Sequence, residues 1–285
     1  MRWWVAGAGG MLGQDLVEVL RSAGEDVVPA TQDDADVTVP SSVAAALDAA
    51  GDVDVVVNCT AWTAVDDAET HESAAFAVNA VGPQILARAA AERGARIVHV
   101  STDYVFDGTA DRPYAAGELV APRSAYGRTK AAGEWAVRVE APDHLVVRTA
   151  WLYGAKGNNF PRTIARVLRE RGRADVVDDE IGQPTWTRDL ARLVLDLVRA
   201  GAASGVYHGT SAGQGSWYEF AREVAASIGM DPDVVGRTSA SAYGRPAPRP
   251  AWSVLSQDEV RAVGVEPIGD WRSRWAAASS SVLTS

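Results

Sequence analysis

The chain has 285 residues, with Lys and Arg contributing 27 and Asp and Glu 37, for a net charge of -10. That sign argues against nucleic acid or an anionic membrane as the main partner, since both attract positive fields, although a few local donors are enough to hold a nucleotide. A single cysteine, Cys59, excludes an internal disulfide, and no run approaches the ~20 apolar residues of a spanning helix, so a cytoplasmic protein is expected.

Residues 3–6 form a short apolar run that breaks at glycine and read as a strand; 11–21 follow with helical spacing through Leu12, Leu16, Val19 and Leu20. Val27 and Val28 mark a second strand, 43–50 a helix, 53–57 a third strand, and 73–93 a long Ala-rich helix. A fourth strand is expected over 96–100, a helix over 125–139 with Trp135 and Val139 on its apolar face, and a fifth strand over 145–148. Further on, 160–169, 187–198 and 217–228 read as helices, the last capped by Ser216, and 206–208 as a strand. The Pro- and Arg-rich stretch 243–250 is expected to be extended, 255–263 and 271–277 to be short helices, and 278–285 to fray. Short apolar runs alternating with amphipathic stretches predict an α/β fold, a doubly wound parallel sheet of Rossmann type. Its dinucleotide-binding domain would occupy 1–150; a smaller, partly interleaved substrate-binding portion would occupy 151–285, with segments at about 187–208 returning to the Rossmann layer.

The first strand runs into Gly7-Ala8-Gly9-Gly10-Met11-Leu12-Gly13. Gly7 permits the tight turn, Gly10 lets the backbone approach a pyrophosphate, and Gly13 lets the helix pack close to the strand. Helix N–H groups at Met11 and Leu12 would then face the phosphates. No acid or arginine stands at the end of strand two, where a ribose would be read; Asp33 and Asp34 follow it. These residues leave NADH and NADPH both open.

Tyr126 and Lys130 are four apart and share one helix face. A phenol is a weak acid, and a neighbouring ammonium favours its ionised form. Lysine is rare here, only Lys130 and Lys156 against 25 arginines, so its presence beside Tyr126 points to chemistry that an always-charged arginine does not perform. Ser101-Thr102-Asp103 follows the fourth strand, whose C-terminal end faces the crevice of such a sheet, and a hydroxyl there can polarise a carbonyl. Thr102 is the candidate, with Ser101 the alternative.

Several runs together resemble the dTDP-4-dehydrorhamnose reductase family of the extended short-chain dehydrogenase/reductases. They are 58–66, 101–108, 126–130, 148–154, 177–185, 216–220 and 249–253. The resemblance implies hydride transfer from NADPH to C4 of a dTDP-bound 6-deoxy-4-ketohexose, giving dTDP-L-rhamnose. It implies that Tyr126 protonates the alkoxide, that Lys130 tunes Tyr126 and holds the cofactor ribose, and that Thr102 and Asp103 meet the sugar. Trp151 would line the sugar site, Ala61, Trp62 and Thr63 the cofactor, and Asp36 and Val37 the adenine; Asn79 matches a helix asparagine of the superfamily. Arg245 and Arg249, between prolines, are candidates for the dTDP pyrophosphate. Some members bind magnesium at a dimer contact through acidic residues. Asp15 and Asp189 are the nearest counterparts, but they form no compact ligand cluster, so no metal site is assigned, and a homodimer stays open.

Three rival readings remain, two of them from other classes. Gly209-Thr210-Ser211-Ala212-Gly213 has the spacing of a hydrolase nucleophile turn, but all four histidines precede Ser211, whereas that arrangement needs one after it. A non-catalytic nucleotide-binding subunit would not need Tyr126 and Lys130. A 4-ketoreductase for another dTDP-deoxysugar, of the kind used in antibiotic glycosylation, shares the same chemistry and stays open.

Overall fold

The computed structural model describes residues 1–284. Its first half holds β1 (Arg2–Ala6), α1 (Met11–Ser22), β2 (Asp26–Ala30), α2 (Pro40–Ala50), β3 (Val55–Asn58), α3 (Val65–Ala68), α4 (Glu72–Phe76), α5 (Gly82–Glu92), β4 (Arg96–Thr102), α6 (Ala125–Glu140) and β5 (His144–Thr149). The second half holds β6 (Leu152–Tyr153), α7 (Phe160–Arg171), β7 (Ala174–Val177), β8 (Ile181–Gly182), β9 (Thr185–Trp186), α8 (Thr187–Arg199), β10 (Gly205–His208), β11 (Gly215–Ser216), α9 (Trp217–Ser227), β12 (Val235–Thr238), α10 (Ala240–Tyr243), α11 (Asp258–Ala262) and α12 (Trp271–Leu283).

Six strands form one parallel sheet in the order β10-β5-β4-β3-β1-β2. The chain goes outward from β1 to β2, then returns to β3 on the other side of β1. The strand order reverses between β1 and β3, and this is where such a sheet opens a crevice at its carboxyl ends. β1 is buried on both faces: Trp3 and Val5 pack into one layer with α1 and α8, Trp4 and Ala6 into the other with α2 and α5. A strand buried on both sides reads as a continuous apolar run, which explains the tryptophan pair. The doubly wound sheet is the predicted one. α8 packs on α1, and β10 extends the sheet beside β5. A third core gathers Tyr153, Phe220, Trp271 and Trp275 between α7, α9 and α12.

Four local expectations are corrected. The helix over 73–93 is interrupted by a π-turn at Ala77–Val81, between α4 and α5. On α6 it is not Trp135 and Val139 that face inward; they are 57% and 83% exposed, while Thr129, Lys130, Gly133, Glu134 and Val137 are buried. The polar side chains Thr129, Lys130 and Glu134 occupy the inner face, so the apolar stripe misleads. Residues 255–257 precede α11 rather than belonging to it. The tail does not fray at 278: α12 runs to Leu283 with Ala278 and Val282 buried, and Ser285 lies outside the described residues.

Candidate active site

The carboxyl ends of β1, β3, β4 and β5 meet at a cleft with two joined hollows. One, of about 520 Å³, is lined by Gly7, Gly9, Gly10, Thr31, Asp36 and Val37 with Ala61 and Trp62. The other, of about 580 Å³, is lined by Met11, Leu12, Thr63, Thr102, Asp103, Tyr126, Lys130 and Trp151. Gly10, Cys59, Thr60 and Ala61 border both, so the glycine loop and the Tyr126 region share one continuous groove.

The glycine loop is built for close approach. Gly7 takes φ +76°, and Gly10, the N-cap of α1, leaves that end without a side-chain cap. No acid occupies the first turn of α1, so its N–H groups and positive dipole end are open to an anion. Gly13 lies outside the lining; a Cβ there would collide with the Gly7 carbonyl, so its part is to let α1 sit against β1. These features fit a dinucleotide with its pyrophosphate at the N-terminus of α1. At the expected ribose position the acids are already engaged. Asp34 accepts from the Thr31 N–H and hydroxyl, both at 2.8 Å, and Asp36 accepts from Thr38.

Two buried asparagines hold the cofactor wall. Asn58, at the end of β3, accepts from the Thr60 N–H at 2.9 Å and hydroxyl at 2.7 Å. Its amide donates to His99 Nδ1 at 3.1 Å, which places the His99 proton on Nε2; burial holds that imidazole neutral. Asn79 sits in the π-turn. Its Oδ1 accepts from the Trp62 N–H at 2.8 Å, and its amide donates to the Trp62 carbonyl and the Thr129 hydroxyl. Asn79 therefore ties the wall to α6.

α6 starts at Ser124, whose hydroxyl accepts from the Gly127 N–H at 3.1 Å, and this cap sets Tyr126 in the first turn. At Gly133 a Cβ would collide with the Asn79 carbonyl, so glycine lets α6 lie close enough to bring Tyr126 and Lys130 to the cleft. Thr102 accepts from the Tyr104 N–H and donates to Asp103 Oδ1 at 2.9 Å. Burial pushes the Tyr126 phenol up to about 12; the nearby Thr102 hydroxyl works the other way, and Asp103 adds to the rise. Lys130 does not act on Tyr126 directly in this state. Its ammonium donates to the Val100 carbonyl at 2.6 Å. Burial brings Lys130 down to about 8, opposed by the charge of Glu134. Burial also raises Asp103 to about 6, and its Oδ2 has no hydrogen-bond partner. The arrangement therefore offers a neutral phenol beside a threonine hydroxyl, at a groove that leads to an anion-binding helix end.

Trp151 has φ 47°, the one positive value outside glycine among the described residues. Its ring stacks on Trp217 with centroids 3.6 Å apart and lies against Gly182, where a Cβ would collide with it. A strained backbone held by such packing is characteristic of functional positions. Trp217 also lines the groove; the sequence reading named it as the start of a helix and within a resembling run but gave it no place in the site. The capping box at Ser216 and Glu219 fixes where α9 begins, but the β8–β11 pairing that carries Trp217 to Trp151 is long-range and leaves no local signal.

Arg245 and Arg249 are not among the residues lining the groove. Arg245 pairs with Glu180 at 3.2 Å, and Arg249 with both oxygens of Asp66 at 2.8 and 2.7 Å. Arg249 remains within electrostatic reach of the lining residue Tyr104. Asp15 accepts from the Thr187 hydroxyl, while Asp189 pairs with Arg274 at 2.7 and 2.8 Å.

Comparison with known proteins agrees on the family and differs on the sugar. The family model described as "RmlD substrate binding domain" matches residues 1–283. A Streptomyces antibioticus protein named probable dTDP-4,6-dihydroxy-2-methyloxan-3-one 4-ketoreductase is 49% identical, over 99% of this chain and 96% of its own length. A Mycobacterium tuberculosis dTDP-4-dehydrorhamnose reductase is 43% identical, over 99% of this chain and 93% of its own length. Among solved structures, the Bacillus anthracis dTDP-4-dehydrorhamnose reductase in complex with NADP is 33% identical with TM-score 0.94, covering 98% of each chain.

Proposed function

The chain belongs to the RmlD substrate-binding-domain family and is an NAD(P)H-dependent reductase of dTDP-4-keto-6-deoxysugars, and from that premise we propose that it forms dTDP-L-rhamnose from dTDP-6-deoxy-L-lyxo-4-hexulose. The observation that carries the chemistry is the meeting of Thr102, Tyr126 and Lys130 in the groove that begins at the glycine loop.

Reduced nicotinamide, when bound, supplies the hydride. The glycine loop and the N-terminus of α1 would hold the pyrophosphate, with Asp36, Val37 and Trp62 beside the adenosine half. NADPH is the assigned cofactor, supported by the NADP complex of the Bacillus anthracis relative. Tyr126, kept neutral by burial, holds the proton that the developing alkoxide takes from its phenol oxygen. Thr102, beside that phenol, would turn its hydroxyl from Asp103 to the ketone oxygen. Lys130 supplies positive charge behind the site and would bond the nicotinamide ribose. The stacked Trp151 and Trp217 would form an apolar wall for the 6-deoxyhexose, and Asp103 would accept from a sugar hydroxyl.

A second product reading has its own support. The 49% identical Streptomyces antibioticus relative is named for a different dTDP-ketosugar. Purified protein given NADPH and dTDP-4-keto-6-deoxyglucose, with and without prior 3,5-epimerisation, separates the two. Cofactor oxidation that depends on epimerisation and yields dTDP-L-rhamnose is the expected result. Oxidation without epimerisation, or another product sugar, replaces the rhamnose assignment with the second reading.

A further inference from the structure

Behind the groove lies a buried ion pair that the scheme above leaves unused. Glu134 stands one helical turn beyond Lys130 on α6, and Arg148 lies on β5; they are 1% and 2% exposed. Arg148 Nε and Nη2 donate to the two Glu134 oxygens at 2.9 and 2.7 Å. Its Nη1 donates to the Ala116 carbonyl at 3.0 Å, and its guanidinium lies 4.9 Å from the centre of the Phe106 ring. Ser101, the residue before Thr102, donates its hydroxyl to Glu134 Oε1 at 2.6 Å. One carboxylate thus joins the helix that carries Tyr126 and Lys130 to the strand end that carries Thr102.

Stability alone does not explain such a pair. Burying two charges costs about as much as their attraction returns, and apolar residues of similar volume do as well or better. Position gives the better account. The groups around the Lys130 ammonium are the Cys59 thiol beyond β3, His99 and the Val100 carbonyl on β4, and Glu134 on α6. His99 is neutral, and burial pushes the Cys59 thiol up to about 12, so neither carries a compensating charge near neutral pH. Glu134 is the carboxylate that acts on Lys130.

We propose that Glu134 is a positioning residue of the reduction: clamped by Arg148 and Ser101, its carboxylate counters the buried Lys130 ammonium and locks the Thr102 strand end to the Tyr126 helix. The inference rests on the functional reading above, but its decisive test does not need turnover. Lys130 and Lys156 are the only lysines in the chain, so Lys156→Arg leaves a single side-chain signal in protein labelled with carbon-13 lysine. In that background the Lys130 titration midpoint, near 8 with Glu134 intact, falls to lower pH in Glu134→Gln and stays in place in Glu134→Asp. Turnover by Glu134→Gln drops on the order of tenfold to a hundredfold, as expected for a misplaced catalytic group, with the keto-sugar KM little changed. Glu134→Gln leaves a buried guanidinium unpaired, so Glu134→Gln with Arg148→Gln is measured beside it, and the midpoint moves in the same direction. Ser101→Ala removes only the strand tie; kcat falls while the Lys130 midpoint holds. A folded charge-removing variant with the wild-type Lys130 midpoint and pH–rate profile overturns the proposal. The expected midpoint shift in Glu134→Gln, found alongside a wild-type chain that reduces no keto-sugar, overturns the functional reading instead.

Discussion

Tyr126 and Lys130 are pulled in opposite directions by the same physical cause. Burial disfavours charge, so the phenol is held neutral near 12 and the ammonium is brought down to about 8. A neutral phenol is the form that gives a proton. Tyr126→Phe is therefore expected to lower kcat by roughly a hundredfold to ten-thousandfold, the range for losing a positioned acid. Its affinity for NADPH, followed by the fluorescence of the reduced nicotinamide, should stay close to wild type; full activity in this variant removes the assignment. Lys130 has a stability consequence with a definite sign. Its folded pKa, about 8, lies below its ordinary 10.5, so the unfolded chain binds the extra proton between those values. The lysine's contribution to stability is thus full above 10.5 and lost as pH falls through 8. Lys130→Met is expected to raise Tm at neutral pH, with the gain shrinking as pH rises through that window, while activity falls. A Tm gain that does not vary with pH contradicts this account.

Element by element, the site depends on close approaches that glycines permit. Gly133 brings α6 against the π-turn, and Gly182, on the two-residue strand β8, accepts the face of Trp151. Gly182→Ala places a methyl group against the indole, and overpacking of this kind costs roughly 1–3 kcal/mol. The expected outcome is a keto-sugar KM raised more than the NADPH KM, since Trp151 is proposed to line the sugar side and the glycine loop is untouched. Unchanged kinetics for both ligands would separate Trp151 from the sugar. These elements also show what the sequence discloses. The strand–glycine–helix entry and the four-residue spacing of Tyr126 and Lys130 are local patterns, legible because a helix and a turn each impose their own period. The inward face of α6 was misread because its buried side chains are polar and its exposed ones include Trp135. The Trp151–Trp217 stack was illegible because it rests on β8 pairing with β11 across 33 intervening positions between Gly182 and Ser216.

At the scale of the whole molecule, one groove joins an uncapped helix end to the cluster of Thr102, Tyr126 and Lys130. The glycine loop comes from β1 and α1; the proposed sugar wall comes from Trp151, between β5 and β6, and Trp217, at the start of α9. The parallel sheet was legible from alternation alone. The ion pairs of Arg245 and Arg249 were not, because Glu180 and Asp66 lie far from them in sequence. A ligand that binds only the folded chain stabilises it by mass action, about 2.7 kcal/mol at a hundred times Kd. NADPH is thus expected to raise Tm in wild type and in Tyr126→Phe alike, and Gly10→Val, which puts a branched side chain where the pyrophosphate approaches, should lose that rise. The most direct test of the central claim follows the hydride itself. NADPH carrying deuterium at the transferable position of the nicotinamide, incubated with the protein and the epimerised dTDP-4-keto-6-deoxyhexose, should give dTDP-L-rhamnose with one deuterium at C4. Product without deuterium at C4, or label at another carbon, would contradict it.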